Sequence, residues 1–227
     1  MSNGRTREHC EPESALASLA VALSAIKIHG MNKTLREEHA LATRDAILGA
    51  ARRLFTANGY DASSIDDIAK TARVTSGALY HHFRGKREIM RAVFETLEAE
   101  LKHRVSAAGK SAKTPSEAMR RSLRALFDAC LEDDIRSIVF EQAPRVLGWE
   151  EWRRIDAEFA MELIMNLLSG LRQEHRIANY DDNVLAILFL AAITEAGLQI
   201  ALHKNNAKLR RECERVLEAF LSGLGDR

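Results

Sequence analysis

The chain has 227 residues, 46% of them hydrophobic, with only three prolines and twelve glycines, which supplies the apolar mass for a sizeable core and excludes a disordered or fibrous chain. A formal net charge of +1 excludes a uniformly basic nucleic-acid coat, so any contact with DNA has to come from a local surplus. Leucine, alanine and charged residues outnumber alternating β-branched or aromatic runs, and the expected fold class is all-α.

Residues 1–42 form an N-terminal extension to which no role is assigned. Leu16, Leu19, Leu23 and Ile26 recur there at helical spacing, and Met31 is a second possible start. The apolar run Ala15 to Ile28 is preceded by Glu8, Glu11 and Glu13 and lacks a clear small-residue cleavage site, so it is not read as a signal core.

From Thr43 onward, Ile47, Ala50, Ala51, Leu54 and Phe55 describe a helix with one buried face, which Asn58-Gly59 ends. Ser64-Ile65-Asp66-Asp67 reads as a capping box that opens a short helix through Ala72. After Arg73-Val74, Thr75 caps a second short helix from Ser76 to about Phe83. Two short helices joined by a tight turn have the size of a helix-turn-helix, with Ile65, Ile68, Ala69, Val74 and Leu79 as its core. The charge surplus lies here. Residues 43–87 hold eight Lys/Arg against four Asp/Glu, whereas residues 88–227 hold 20 basic and 23 acidic side chains. A basic head on a slightly acidic body is the distribution expected when one domain meets phosphate and the other does not. The expected division is therefore a helix-turn-helix domain over 43–87 and a larger helical domain over 88–227.

A further helix is expected from Lys86 to around Val105, with Ile89, Val93, Phe94 and Leu97 inward, followed by a linker over 107–113. Thr114-Pro115-Ser116-Glu117 combines an N-cap, proline in the first turn and a glutamate that completes a capping box. Pro144 is expected to break the next helix after Phe140. Trp149, Trp152, Ile155, Phe159, Leu163 and Leu167 continue a helical stripe, and Asp181-Asp182 opens a long apolar helix from Val184. That helix carries Glu195 and Gln199, which argues for a core helix over a membrane span. Leu209, Cys213, Val216, Leu217, Phe220 and Leu224 give the last helix its apolar face.

Cys10, Cys130 and Cys213 form no CxxC pair and fit reduced thiols in a cytoplasmic protein. His81-His82 is the close histidine cluster, and it lacks the HExxH spacing of a zinc site. No catalytic set, metal site or cofactor is expected, and the protein is not read as an enzyme.

The segments Ser64-Ile65-Asp66-Asp67-Ile68-Ala69 and Val74-Thr75-Ser76-Gly77-Ala78-Leu79-Tyr80-His81-His82-Phe83, followed by Lys86, resemble the TetR family of bacterial transcriptional regulators. The stretch from Ala143-Pro144 through Asp156 looks like the C-terminal domain of one subgroup of that family. The resemblance implies a three-helix DNA-binding head and a larger domain for ligand binding and dimerisation. It implies DNA contact by Thr75, Ser76 and Gly77 at the start of the recognition helix, by Tyr80 and His81 on its exposed face, and by Lys86, Ser64, Thr43 and Arg44 at phosphates. Many relatives have glycine where this chain has Arg73, so a strained backbone is expected there, and the arginine is a further candidate for DNA contact. Each of these positions also has a plain reading, as a cap or as ordinary surface.

The resemblance further implies a homodimer on an inverted-repeat operator, built from the last two helices through Ala192, Ala196, Gly197, Val216, Leu217 and Phe220. It implies a pocket for a hydrophobic small molecule, with Phe127, Phe140, Trp152, Phe159, Met165 and Phe189 as walls, although such stripes are also what plain core looks like. The functional expectation is a repressor released from a palindromic operator by an effector. The alternative is a DNA-binding protein without a small-molecule ligand, either DNA-organising or redox-responsive through Cys130 or Cys213.

Overall fold

The computed structural model describes residues 37–203 and 207–225, and every element among them is helical. The expected Leu16 to Ile26 stripe, Met31 and Cys10 lie outside these residues. Among the described residues, 37–45 fall in one compact unit and those from 46 onward in a second. Helix α1 covers residues 37–58, and α2 (Ile65–Ala72), α3 (Ser76–His82) and α4 (Lys86–Lys110) follow it. Then come α5 (Pro115–Ala129), a π-helical segment (Ile135–Gln142), α6 (Ala143–Leu147), α7 (Trp149–Gln173), α8 (Asp182–Leu202) and α9 (Ala207–Ser222).

Local sequence accounts for most of the boundaries. Gly59 takes the left-handed conformation (φ 82°) and its N–H donates to Phe55 O, closing α1. Thr114 caps α5 by accepting from Glu117 N, with Pro115 in the first turn. Glu117 does not return the bond to the cap residue, because its carboxylate accepts from Lys113 N one position earlier. Asp181 caps α8 by accepting from Val184 N.

Two boundaries differ from expectation, each for a tertiary reason. Helix α4 persists to Lys110, through part of the expected linker, because its last turns pack closely on α5. A Cβ on Gly109 would lie 2.8 Å from Ser122 Oγ, whose hydroxyl donates to Val105 O at 3.1 Å. Pro144 breaks nothing after Phe140, since the π-helical segment runs directly into α6 and places the proline in the first turn, where no N–H is needed. The interruption falls at Gly148 (φ 87°).

Residues 46–225 share one main core. Ile47, Phe55, Ile68 and Leu79 of the head belong to the same buried cluster as Phe94, Phe127, Trp152 and Phe189. Polar ties cross from head to body beside this cluster. Arg52 reaches both Glu100 and Asp134, Arg87 donates to Glu151 and to Leu147 O, and the buried Gln142 Nε2 donates to Phe55 O at 2.9 Å. Helix α8 is long and apolar enough to cross a membrane by length and composition, but half of its apolar stretch is buried inside the protein.

Trp152 is the largest of the fully buried side chains. Its ring stacks on Phe94 (6.4 Å between centroids) and on Trp149 (4.9 Å), and its Nε1 donates to Val139 O at 2.8 Å. Trp152→Ala is expected to destabilise the protein by about 3–5 kcal/mol. Urea unfolding measures this, and a loss below about 1 kcal/mol would mean that the ring is not a core element.

Candidate nucleic-acid interface and ligand cavity

The head presents α3 on a firmly capped frame. Ser64 Oγ accepts from Asp67 N at 3.0 Å and donates to Asp67 Oδ2, while that carboxylate also accepts from Ser64 N at 3.1 Å. These hydrogen bonds, led by the Ser64 hydroxyl, hold the Asp67 carboxyl below its usual range. Thr75 caps α3 by accepting from Ala78 N at 3.1 Å. Ser76 Oγ donates to Asp66 Oδ1 at 2.9 Å and so ties the start of α3 back to α2.

Between those helices Arg73 stands in the left-handed region, φ 59° and ψ 39°. The reason is the termination of α2: Arg73 N donates to Lys70 O and Val74 N to Ala69 O, a Schellman arrangement that demands a positive φ at residue 73. The side chain of Arg73 is exposed and makes no hydrogen bond or ion pair with any described residue. Tyr80 is 55% exposed, its hydroxyl likewise unpartnered. His81 is exposed, its ring set edge-on to that of His82 with 5.4 Å between centroids.

Gly77 is exposed too, and a Cβ there would meet nothing closer than Thr75 Oγ1 at 3.9 Å. Internal packing therefore gives no reason for glycine in this first turn, where it lowers helix stability by about 1 kcal/mol relative to alanine.

The remaining expected contacts are placed differently. Lys86 Nζ donates to Tyr60 O at 2.8 Å and lies 4.2 Å from the centroid of the Tyr60 ring, so it anchors the start of α4 on the turn after α1. Thr43 and Arg44 belong to the N-terminal unit, where Thr43 Oγ1 donates to His39 O at 2.8 Å.

A cavity lies in the body among α4, α5, α7 and α8, with the π-helical segment at one wall. Room for the centre of a water-sized sphere amounts to about 90 Å³, within about 780 Å³ of space that holds no protein atom and includes the opening to solvent. Phe140, Phe159 and Phe189 line it as expected, whereas Phe127, Trp152 and Met165 do not. Phe127 and Trp152 are fully buried core, and Met165 is half-buried against it. Helical stripes alone could not separate these cases, because one apolar face serves both core and cavity.

Two lining residues escaped the sequence reading, Glu98 on α4 and Asp156 on α7. Glu98 is only 5% exposed and has no hydrogen bond or ion pair with any described residue. Burial, with Asp156 nearby, pushes its carboxyl well above the usual range. Asp156 accepts from Thr194 Oγ1 at 3.2 Å, and burial raises it to about 6 despite that bond and Arg153. The available signal was Glu98 itself, a carboxylate one turn after Phe94 on the inward stripe of α4.

The last two helices carry an outward apolar face. Val184, Ile187 and Leu188 on α8 are all more than half exposed, as is Val216 on α9, and Phe220 is 42% exposed. The expected dimer residues fall on both sides of these helices. Val216 and Phe220 point outward, Ala192 and Ala196 lean half-buried on the core, and Leu217 is buried in it. Gly197 faces inward, where a Cβ would lie 3.1 Å from Phe140 Cζ and 3.4 Å from Cys130 Sγ. Its small size thus serves packing within the protomer.

Residues 47–93 match the family of "Bacterial regulatory proteins, tetR family", and residues 116–224 match the "Tetracyclin repressor-like, C-terminal domain". A TetR-family transcriptional regulator of known structure from Pectobacterium atrosepticum is 31% identical, with a TM-score of 0.73, covering 84% of this chain and 97% of that one. The chain belongs to the TetR family. It is accordingly a DNA-binding transcriptional regulator with a helix-turn-helix head.

The transposon Tn10 TetC protein of Escherichia coli is 28% identical over 181 residues, 78% of this chain and 87% of the relative. The fold is shared with the regulator FadR of Bacillus subtilis in complex with stearoyl-CoA, at 20% identity and a TM-score of 0.63, covering 78% of this chain and 97% of that one. Within this TetR-family chain the redox alternative loses its chemistry. Cys130 is fully buried and Cys213 half-buried, and burial pushes both thiols up, away from the reactive thiolate.

Two outcomes follow. Arg73→Gly is expected to raise stability by up to about 1 kcal/mol by relieving the left-handed backbone, and a fall in the urea midpoint would refute strain at this position. Glu98 and Asp156 hold their protons more tightly folded than unfolded. Their contribution to stability is therefore complete below the ordinary carboxyl values of 4.5 and 3.8, and is lost as pH rises through about 6 for Asp156 and beyond its ordinary value for Glu98. Glu98→Gln is thus expected to raise Tm at about pH 8 and to have little effect near about pH 4. A difference independent of pH would contradict the burial of an ionisable carboxyl.

Proposed function

We propose that this regulator is a cytoplasmic homodimeric repressor, held on an inverted-repeat operator by α3 and released when a hydrophobic small molecule fills the cavity. One observation carries the DNA reading. The outer surface of α3 and its preceding turn combines Arg73, Gly77, Tyr80 and His81, all exposed and none committed to the protein's own structure. Arg73 and Gly77 each lower stability locally, and DNA gives a different reason for each: a phosphate or base partner for the arginine, and close approach of the DNA backbone at the glycine.

Within this reading Thr75 and Ser76 offer the N-terminus of α3 to phosphate, and Ser64 does the same for α2. Lys86 contributes charge from its anchored position, and Thr43 and Arg44 are phosphate contacts of the N-terminal unit by itself. The domain division at 87/88 is functional, the head reading DNA and the body sensing and dimerising. The outward faces of α8 and α9, with Val184, Ile187, Leu188, Val216 and Phe220, form the dimer interface. A two-fold dimer sets its recognition helices about 34 Å apart, one turn of DNA. Occupancy of the cavity shifts α4, and with it the spacing of the two heads.

Duplexes selected from a random pool supply the operator for the test. Tyr80→Ala with His81→Ala is expected to leave Tm nearly unchanged and to lower operator affinity by more than about tenfold. Gly77→Ala is expected to separate the two effects further, raising stability by up to about 1 kcal/mol while weakening DNA binding. Unaltered anisotropy titrations for both variants would overturn the assignment of α3 as the DNA-reading element.

A further inference from the structure

We propose that the body cavity takes an organic cation, an apolar and aromatic-sized body bearing one ammonium-type charge seated against Glu98 with Asp156 beside it. This inference rests on the ligand-sensing reading above and adds the chemical class of the ligand.

The charge balance of the cavity carries it. Glu98 is 5% exposed, lines the cavity, and has no donor and no cation among the described residues. An isolated carboxylate taken out of water carries a penalty of several kcal/mol unless a counter-charge is supplied. The one basic side chain on the lining, Lys102, is committed elsewhere, its Nζ donating to Glu162 at 2.7 Å. Asp156 is the second acid, with a single donor, the Thr194 hydroxyl. The wall is therefore apolar, holds two carboxyls, and lacks the positive charge that would match them.

A guest cation supplies that charge, and the rings of Phe140, Phe159 and Phe189 add faces on which an alkylated ammonium is favourably placed. An anionic guest would gain nothing from either acid once ionised, and a neutral one would leave both acids protonated.

The empty cavity favours the protonated acids, since burial raises both. The groups that bear on their titration are few. Lys102 stands on α4 and Arg153 on α7, and Cys130 lies at the end of α5 close to Glu98. Helix α8 and the π-helical segment face the cavity with the non-titrating Thr194 and Phe140. Entry of a permanent cation therefore ionises Glu98 and releases its proton to the buffer.

The test uses the full-length protein and three probes of one shape, 4-phenylbutyltrimethylammonium, 4-phenylbutan-1-ol and 4-phenylbutyrate, by calorimetry near about pH 6 in buffers of different ionisation enthalpy. The expected order is cation first by about tenfold or more over the alcohol, the carboxylate weakest, with proton release accompanying only the cation. Glu98→Gln should abolish the cation's advantage and its proton release while leaving alcohol binding within about twofold, and Asp156→Asn gives an independent reading if the first variant folds poorly. Equal binding of alcohol and cation, or tighter binding of the carboxylate, overturns the cation class and leaves the cavity a ligand site. Failure of all three probes to bind overturns the cation proposal and the ligand-sensing reading together.

Discussion

Helix α4 is a single rod of 25 residues, about 37 Å long, that is buried at both ends against different partners. Ile89, Met90, Val93 and Phe94 lie in the cluster that contains Ile47, Phe55 and Leu79 of the head, and Leu97 continues that cluster into the body. Beyond it Leu101 and Val105 pack with Ala129. A close-packed interior does not deform continuously, so α4 cannot tilt at one end without displacing what it touches at the other. The ties around it are mostly half-exposed ion pairs such as Arg52 to Glu100 and Asp134, which add little stability individually. Their effect is on orientation, fixing the angle at which head meets body, and the buried bond from Gln142 to Phe55 O reinforces it.

The same rod carries Glu98. One helical turn before it, Phe94 stacks on Trp152, and Trp152 is bonded to the π-helical segment that also supplies Phe140 to the cavity wall. A change in charge at Glu98 is thereby applied to the element on which the head is mounted. The coupling this permits is bounded by the difference in ligand affinity between two arrangements of α4. The inward-facing Gly197 brings α8 against Phe140 at the same wall, leaving the outward apolar stripe of α8 for another surface.

Sites of function often break local rules, and this chain breaks them in three places. Arg73 occupies a left-handed position that glycine would fill more comfortably, Gly77 occupies a helical turn that alanine would stabilise, and Glu98 occupies a core position suited to an apolar side chain. The first two border the exposed face of α3 and the third lines the cavity. Each lies where the proposed reading needs an external partner.

By itself the sequence determined whatever depends on neighbours along the chain. The caps at Ser64, Thr75, Thr114 and Asp181, the left-handed turn at Gly59, the strained Arg73 and the identity of α2 and α3 were all legible, because capping and helix periodicity act over three to four residues. Tertiary structure alone decided which apolar stripe faces core, cavity or outside. It sent Phe127 and Trp152 into the core and Phe159 to the cavity, turned Gly197 and Leu217 inward, held Lys86 on Tyr60, and carried α4 through to Lys110. It also enclosed Glu98 and Asp156 in one apolar space from helices nearly sixty positions apart, a juxtaposition that no local pattern encodes because burial is a property of packed surfaces.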